Sequence, residues 1–400
     1  MDFDAIIVGA GPVGSTLAWQ LIKAGFSVGL LDAESAVVDQ LRASTFHPPT
    51  LDMLAADGIS DELHAAGRIT PTWQIRMHSN DERAEFDLQV LSADTDYPYR
   101  LQCRQAVLVN SCLSRINRTQ PGAMRLGAQV TAVSQGKTDV QVQFKQAGTL
   151  QTVTARWLIG CDGARSIVRE SLGIGFDGDA YPEHTILATT RFPFEEHLDG
   201  LSGVNYIWGD SSTFSLLRLP DVWRCSFHPR EGQSPEQAMQ THSIQEHLVA
   251  VTPAASGWAI DERRIYKVHH RIARRYRQGR IFLAGDAAHL NSPKGGMGMN
   301  GGIHDAFELA DILTQVGAAE VDSTSAALLD RYERRRRPVA ENDIIGQADQ
   351  NRARMAEKNR AARLARLHEL QAIAARPDKA RQFLLRSSMI DGLRKSQAVL

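Results

Sequence analysis

The chain is poor in the groups that would hold a metal or a covalent framework. Its 400 residues include four cysteines, Cys103, Cys112, Cys161 and Cys225, none in CxxC or another metal-ligand spacing. The 13 histidines are scattered, without an i, i+4 pair, so no metal site is expected. No apolar run approaches the roughly 18 residues of a transmembrane helix, which excludes an integral membrane segment. The formal net charge of −1, with both signs mixed along the chain, provides no field for nucleic acid. The only basic block, Arg334 to Arg337, reads as the solvated face of a helix. No GxSxG nucleophile elbow occurs. A first strand that begins almost at residue 1 leaves no room for a leader, and with this cysteine usage the expected compartment is cytoplasmic.

What is present is glycine in chosen places. Gly9, Gly11 and Gly14 follow the apolar run Ile6-Ile7-Val8 and read as strand, tight turn and helix. Such glycines permit the turn, let the backbone approach a pyrophosphate and let the helix pack on the strand. The helix N-terminus then favours phosphate. Asp32 ends the next apolar run, Val28 to Leu31, at the distance expected of an acid that accepts ribose hydroxyls. There is no second GxGxxG unit.

Residues 4–8 and 27–31 read as parallel strands around a helix from Val13 to Ala24. Thr50 to Gly58 has an amphipathic helical pattern. Trp73 to His78 and Ala84 to Leu88 alternate around Asn80-Asp81 and suggest a hairpin. Residues 128–134, 139–144 and 151–159 form a strand trio. Segments at 206–208, 213–219 and 223–228 suggest a mainly antiparallel sheet. Helices are expected at Asn300 to Val316 and Ser325 to Arg337, with a helical region after Ala340. The fold class is α/β, a Rossmann-like βαβ domain interleaved with an antiparallel sheet domain, plus a helical C-terminus. The expected division assigns 1–72, 101–178 and 268–340 to the nucleotide domain. It assigns 73–100 and 179–267 to the substrate sheet and 341–400 to the helical region.

Two further segments point to a family. Arg280-Ile281-Phe282-Leu283-Ala284-Gly285-Asp286-Ala287-Ala288-His289 resembles the segment by which flavoprotein monooxygenases of the para-hydroxybenzoate hydroxylase type hold the ribityl chain. Gly160-Cys161-Asp162-Gly163-Ala164-Arg165 resembles the Asp-Gly motif of the same family. The three motifs stand in the family's order, and the resemblance covers roughly residues 1 to 350. It implies FAD as cofactor, NADPH or NADH as electron donor, and hydroxylation of a small aromatic substrate by dioxygen through a flavin hydroperoxide. Alternatives are a quinone-biosynthesis hydroxylase at the membrane surface and a non-catalytic flavin-binding protein. A homodimer is left open.

The resemblance also assigns roles. Gly285 and Asp286 are expected at the ribityl hydroxyls. Pro293, Gly295, Gly296, Gly298, Met299 and Asn300 form the loop and helix start beside the flavin, with Asn300 alternatively a cap. Lys294 is expected to point to solvent. Arg42 and Gln105 correspond to residues on the FAD phosphates and the flavin side, with Gln102 competing for the second place. Asp162 and Arg165 act on cofactor or form an ion pair that holds their turn. His289 is read as a structural hydrogen-bonder first and an acid/base catalyst second. For the substrate, alternation groups Phe214, Leu216 and Arg218 on one strand face. If that face borders the flavin, Arg218 binds a carboxylate or phenolate. Tyr206 is read as packing beside the substrate, with a proton relay as the lesser role.

Overall fold

The computed structural model describes residues 1–39, 42–209, 212–317 and 323–400. Strand Phe3–Val8 runs parallel to both Val28–Asp32 and Thr149–Gly160, between which it lies. Ala5, Ile6 and Ile7 are completely buried, and cover on both faces explains why the run is apolar without alternation. Ile281–Leu283 and Met124–Leu126 extend the parallel core on either side. The expected strand trio is present as Gln129–Gln135, Val140–Gln146 and Thr149–Gly160, an antiparallel meander continuous with that core.

A second sheet runs in the order Arg263–His269, Ala180–Thr190, Trp223–Phe227, Thr213–Arg218, Val204–Trp208, Thr72–Met77, Arg83–Asp87. Its pairs are antiparallel except Val204–Trp208 with Thr72–Met77. The Thr72–Met77 and Arg83–Asp87 hairpin turns at Asp81, whose φ of 58° suits the tolerance of Asp for the left-handed region. One face of the sheet packs Leu216, Cys225 and Phe227 against Ile244 and Leu248 of helix Thr241–Val251. The other packs Trp73, Ile75, Val204 and Leu217 against the C-terminal helices.

The helix expected at Thr50 to Gly58 spans Pro48–Ala55, its entry set by prolines in the first turn. Asn300 to Val316 lengthens to Gly298–Val316, and Ser325 to Arg337 to Ser323–Val339. After a π-helical stretch at Ala340–Ile345 come helices Gly346–Ala356, Arg360–Ala374, Pro377–Ser387 and Ile390–Gln397.

The Arg334 to Arg337 run is not a solvated face. Arg335 pairs with Glu308 at 2.9 Å and donates to the carbonyl of Val399, while Arg337 donates to the carbonyl of Ala273. Arg336 is fully buried on Asp305 at 2.7 Å. The block clamps the C-terminus and the strand Arg271–Ala273 to the long helix. It breaks the solvated-face expectation because buried carboxylate and carbonyl acceptors await it.

Candidate active site

The first turn is built by exclusion. Gly9 has φ 101°, and a Cβ there would lie 2.4 Å from the carbonyl oxygen of Cys161. A Cβ on Gly14 would lie 1.8 Å from the carbonyl oxygen of Gly9. Gly11 differs: a Cβ there meets nothing within 4 Å, so space lies open beside the backbone that caps helix Pro12–Lys23. Asp32 holds this turn. Its Oδ2 accepts from the Ala10 N–H at 2.5 Å and its Oδ1 from Glu34 at 2.8 Å. Both oxygens are thus engaged by backbone, each keeping a further lone pair for a hydroxyl.

Asp286 opens on the same side. No protein group donates to its carboxylate among the described residues, and its side chain reaches solvent although protein is dense around it. That surrounding burial raises its carboxyl above the ordinary range, against the pull of His289 and Arg42. Arg42 is exposed and near enough to Asp286 for that attraction, without pairing with it. Gly285 has φ 61°, and a Cβ there would press on Val13 at 2.8 Å, which locks this segment to the first helix. Gln105 opens helix Gln105–Thr119, half-buried and without a protein hydrogen bond among the described residues. Gln102 is fully buried, its Oε1 accepting from Thr45 at 2.9 Å.

Asp162 accepts from the Val168 N–H at 3.2 Å, and burial raises its carboxyl. The expected Asp162–Arg165 ion pair is not formed, because Arg165 is exposed. Arg169, which the sequence reading passed over, binds instead. It donates to the carbonyls of Ala164 and Ala287 at 3.0 and 3.1 Å, tying the Asp-Gly loop to the Gly-Asp segment.

His289 is not placed for acid/base catalysis. Its Nε2 lies 2.8 Å from Asp305 Oδ2, both side chains have no exposure, and Arg336 takes the other carboxylate oxygen. Arg336 and His289 hold the Asp305 carboxyl well below the usual range despite burial. Removing one member of such a buried ionic cluster costs about 3–5 kcal/mol, so its role is to fix the helix Gly298–Val316 against the Gly285 segment. Asn300 is likewise consumed. Its Oδ1 accepts from the His47 N–H, and its Nδ2 donates to the carbonyls of Thr45 and Gly296. The Met299 side chain packs in the apolar cluster around Phe46. At Gly298, Met299 and Asn300 a cofactor is therefore left the backbone N–H groups of the helix start.

Pro293 and Gly296, joined by a turn bond of 3.0 Å, wall a crevice that opens to solvent. The antiparallel sheet supplies the opposite wall, including Tyr206, Phe214, Ser215 and Leu217. Arg218 is not in it. Register settles the faces: Leu217 pairs with Arg224 and Tyr206 with Ser215, so Ser215, Leu217 and Arg224 look into the crevice. Arg218 looks the other way, 3.5 Å from Glu195 and over the Trp223 ring at 5.5 Å. Phe214 reaches the crevice edge while packing with the rear cluster.

The cations that do face the crevice are Arg100, Arg224 and Lys294. Arg224 is buried on Ser44 Oγ at 2.9 Å and on the carbonyl of Arg42 at 3.1 Å. Lys294 points inward rather than to solvent. Its Nζ is 3.2 Å from His228 Nε2, and burial lowers it to about 8. His228 is itself lowered by burial, and its Nδ1 sits 3.1 Å from the His184 carbonyl oxygen. That fixes the neutral tautomer with Nδ1 donating and Nε2 accepting from Lys294.

The open space at Gly11, the unengaged Asp286 carboxylate and the crevice walled by Gly296 are features that an extended dinucleotide ending in a planar ring requires. Comparison with known proteins agrees. The FAD binding domain family matches residues 2–347. Para-nitrophenol 4-monooxygenase of Pseudomonas sp. (strain WBC-3) is 32% identical over 396 residues, covering 97% of this chain and 96% of that protein. 6-Hydroxy-3-succinoylpyridine 3-monooxygenase HspB of Pseudomonas putida (strain DSM 28022 / S16) is 33% identical over 335 residues, 83% of this chain and 84% of its own. The crystal structure of p-nitrophenol 4-monooxygenase PnpA from Pseudomonas putida DLL-E4 superposes with a TM-score of 0.89 at 29% identity, covering 98% of each chain. The chain belongs to the FAD-binding class A flavin monooxygenases. Among the described residues no helix is long and apolar enough to cross a membrane.

Proposed function

We propose that this flavin monooxygenase hydroxylates a phenolic or heteroaromatic ring held between the Pro293–Gly296 turn and the antiparallel sheet, using NADPH or NADH as electron donor. The supporting observation is the crevice itself: aromatic and apolar walls, three buried or half-buried cations, and no Asp or Glu among its described lining residues. Bound FAD supplies the redox chemistry, passing electrons from the nicotinamide to dioxygen and one oxygen atom to the ring. In this reading Gly9, Gly11 and Gly14 cradle the pyrophosphate, Arg42 and Gln105 touch the phosphates and the flavin side of the cofactor, and Asp286 takes ribityl hydroxyls. The eight-stranded sheet is then the FAD domain and the seven-stranded sheet the substrate domain.

The protein's own groups do the rest. Arg224 and Lys294 stabilise a phenolate, which is a more electron-rich ring than the phenol. Lys294 with neutral His228 can take and hold the phenol proton. Tyr206 and the apolar wall orient the ring and keep water out. Cys103, Cys112, Cys161 and Cys225 are all free thiols, which suits a cytoplasmic enzyme.

The test is a screen of the FAD-loaded protein against nitrophenols, hydroxybenzoates and hydroxypyridines, following NADPH and NADH oxidation, oxygen uptake and hydroxylated product together. At least one compound should stimulate all three. A flavin-loaded protein whose NAD(P)H oxidation no aromatic compound changes would defeat the reading. Asp286→Ala should fold normally yet bind FAD about tenfold to a hundredfold more weakly, the effect of losing acceptors for two hydroxyls.

A further inference from the structure

A second, narrow cavity continues from the crevice past Tyr206 and Lys294 and runs beneath the C-terminal helices. Its walls include Arg100, Arg354, Asn351, Phe383 and Ser387. No Asp or Glu is among its described lining residues, and none forms a salt bridge with Arg100, Arg354 or Lys294 among the described residues. Lys294 feels the charge of Glu183 without pairing with it, and buried or half-buried cations with no carboxylate paired to them are costly unless a ligand supplies one.

Donors are also left over. Arg100 is only 3% exposed, and its Nε has no hydrogen-bond partner. The Nε of Arg354 and the hydroxyl of Ser387, a residue 8% exposed, are in the same condition. Three residues that each keep an unpartnered polar atom, on the strand Arg100–Gln102 and the helices Gly346–Ala356 and Pro377–Ser387, therefore line one space, although Arg100 also lies over Trp73 and Arg354 donates to Asn351. The stack of Phe383 on Phe86, at 4.7 Å, closes its apolar side.

We infer that this cavity is a subsite for an anionic arm, a carboxylate or sulfonate carried on the aromatic substrate, bound by Arg100, Arg354 and Ser387 while the ring occupies the crevice. The inference rests on the monooxygenase reading for the position of the ring, and it is separable from that reading by experiment. Burial also lowers Arg354 to about 10, the direction a bound anion would reverse.

The full-length FAD-loaded protein would be titrated calorimetrically at neutral pH, without nicotinamide, with 3-(4-hydroxyphenyl)propionate, its uncharged propionamide, and 4-ethylphenol. The acid should bind at least tenfold more tightly than the amide, as expected of charge-assisted bonds in a closed site. Arg354→Gln should weaken the acid at least tenfold while the amide stays within about twofold. Equal affinity for acid and amide, no binding of either, or an Arg354→Gln variant that weakens both alike would overturn the subsite. If Arg354→Gln fails to fold, the ratio of acid to amide in the unaltered protein decides alone. NADPH oxidation stimulated by 4-ethylphenol, with no advantage for the acid, removes the subsite and keeps the monooxygenase. Tight acid binding with no stimulation by any of the three does the reverse.

Discussion

At the scale of single residues, Lys294 carries the clearest consequence. Its ammonium stands among Arg224, Arg100 and His228 in a partly dry crevice, and burial brings it down to about 8. A bound anion favours the charged form, so an anionic ligand binds best below pH 8 and progressively less well as pH rises through that value. The loss should approach about tenfold per pH unit until the bound complex itself titrates. In the empty protein the sign is opposite. The charged form is a cost to stability below about pH 8, and the cost fades as pH rises towards the ordinary lysine value near 10.5. Titrating a ligand whose own charge is constant from pH 6 to 10 isolates the effect, a window that spans the shifted and near-ordinary lysine values. Lys294→Met should flatten the profile, and an unchanged inflection near pH 8 in that variant would mean another group titrates. Arg218 shows the complementary lesson. Alternation correctly grouped Phe214, Leu216 and Arg218, but only the pairing of Leu217 with Arg224 tells which group faces the crevice. That pairing belongs to tertiary structure.

At the scale of elements, the strand–turn–helix start separates two glycines that look alike in sequence. Gly14 is required by the fold, since any Cβ would overlap the Gly9 carbonyl. Gly14→Ala should lower the melting temperature of the FAD-free protein, by an amount typical of overpacking, about 1–3 kcal/mol or more. Gly11 has nothing within 4 Å, so Gly11→Ala should leave the FAD-free protein as stable as the parent while weakening FAD binding. Equal losses of FAD-free stability in the two variants would show that the open space has no such purpose. This turn was legible because its chemistry is local: an apolar strand, glycines at fixed offsets, and an acid after the next strand. The same holds for the hairpin at Asp81, whereas the Gly285-Asp286 segment stands out only by its resemblance to a family. What could not be read is what depends on distant partners. His289 reads as a structural hydrogen-bonder and Asn300 as a candidate cap, but their partners, Asp305 for the first and the His47, Thr45 and Gly296 backbone for the second, cannot be named from sequence. Arg100 and Ser387 lie 287 positions apart in the chain and meet only across a cavity.

At the scale of the whole molecule, the last three helices roof the antiparallel sheet. Leu367, Leu370, Leu384, Leu385 and Ile390 are buried against Trp73, Phe86 and Val204, giving the antiparallel sheet an apolar layer it cannot obtain from the other domain. Arg381 and Arg394 both reach Asp94, at 2.7 and 2.8 Å, pinning two of these helices to the loop after the hairpin. Those exposed arginines add modestly, whereas each buried leucine or isoleucine contributes about 1.5–3 kcal/mol. Five of them together approach the whole stability of an ordinary domain, about 5–15 kcal/mol. A chain ending at Ala356 should therefore expose the Trp73–Phe86 face, bind a hydrophobic dye and lose ring-ligand affinity. The milder variant Leu384→Ala, at a position with no exposure, should cost about 2–5 kcal/mol and lower the melting temperature while leaving FAD binding near normal. The cofactor half has its own core, built on Phe3–Val8 and Gly298–Val316, to which the C-terminal segment adds Met389. Parent-like melting in both variants would mean that the sheet is stable uncovered. Loss of FAD in step with melting in Leu384→Ala would mean instead that the two halves unfold as one unit.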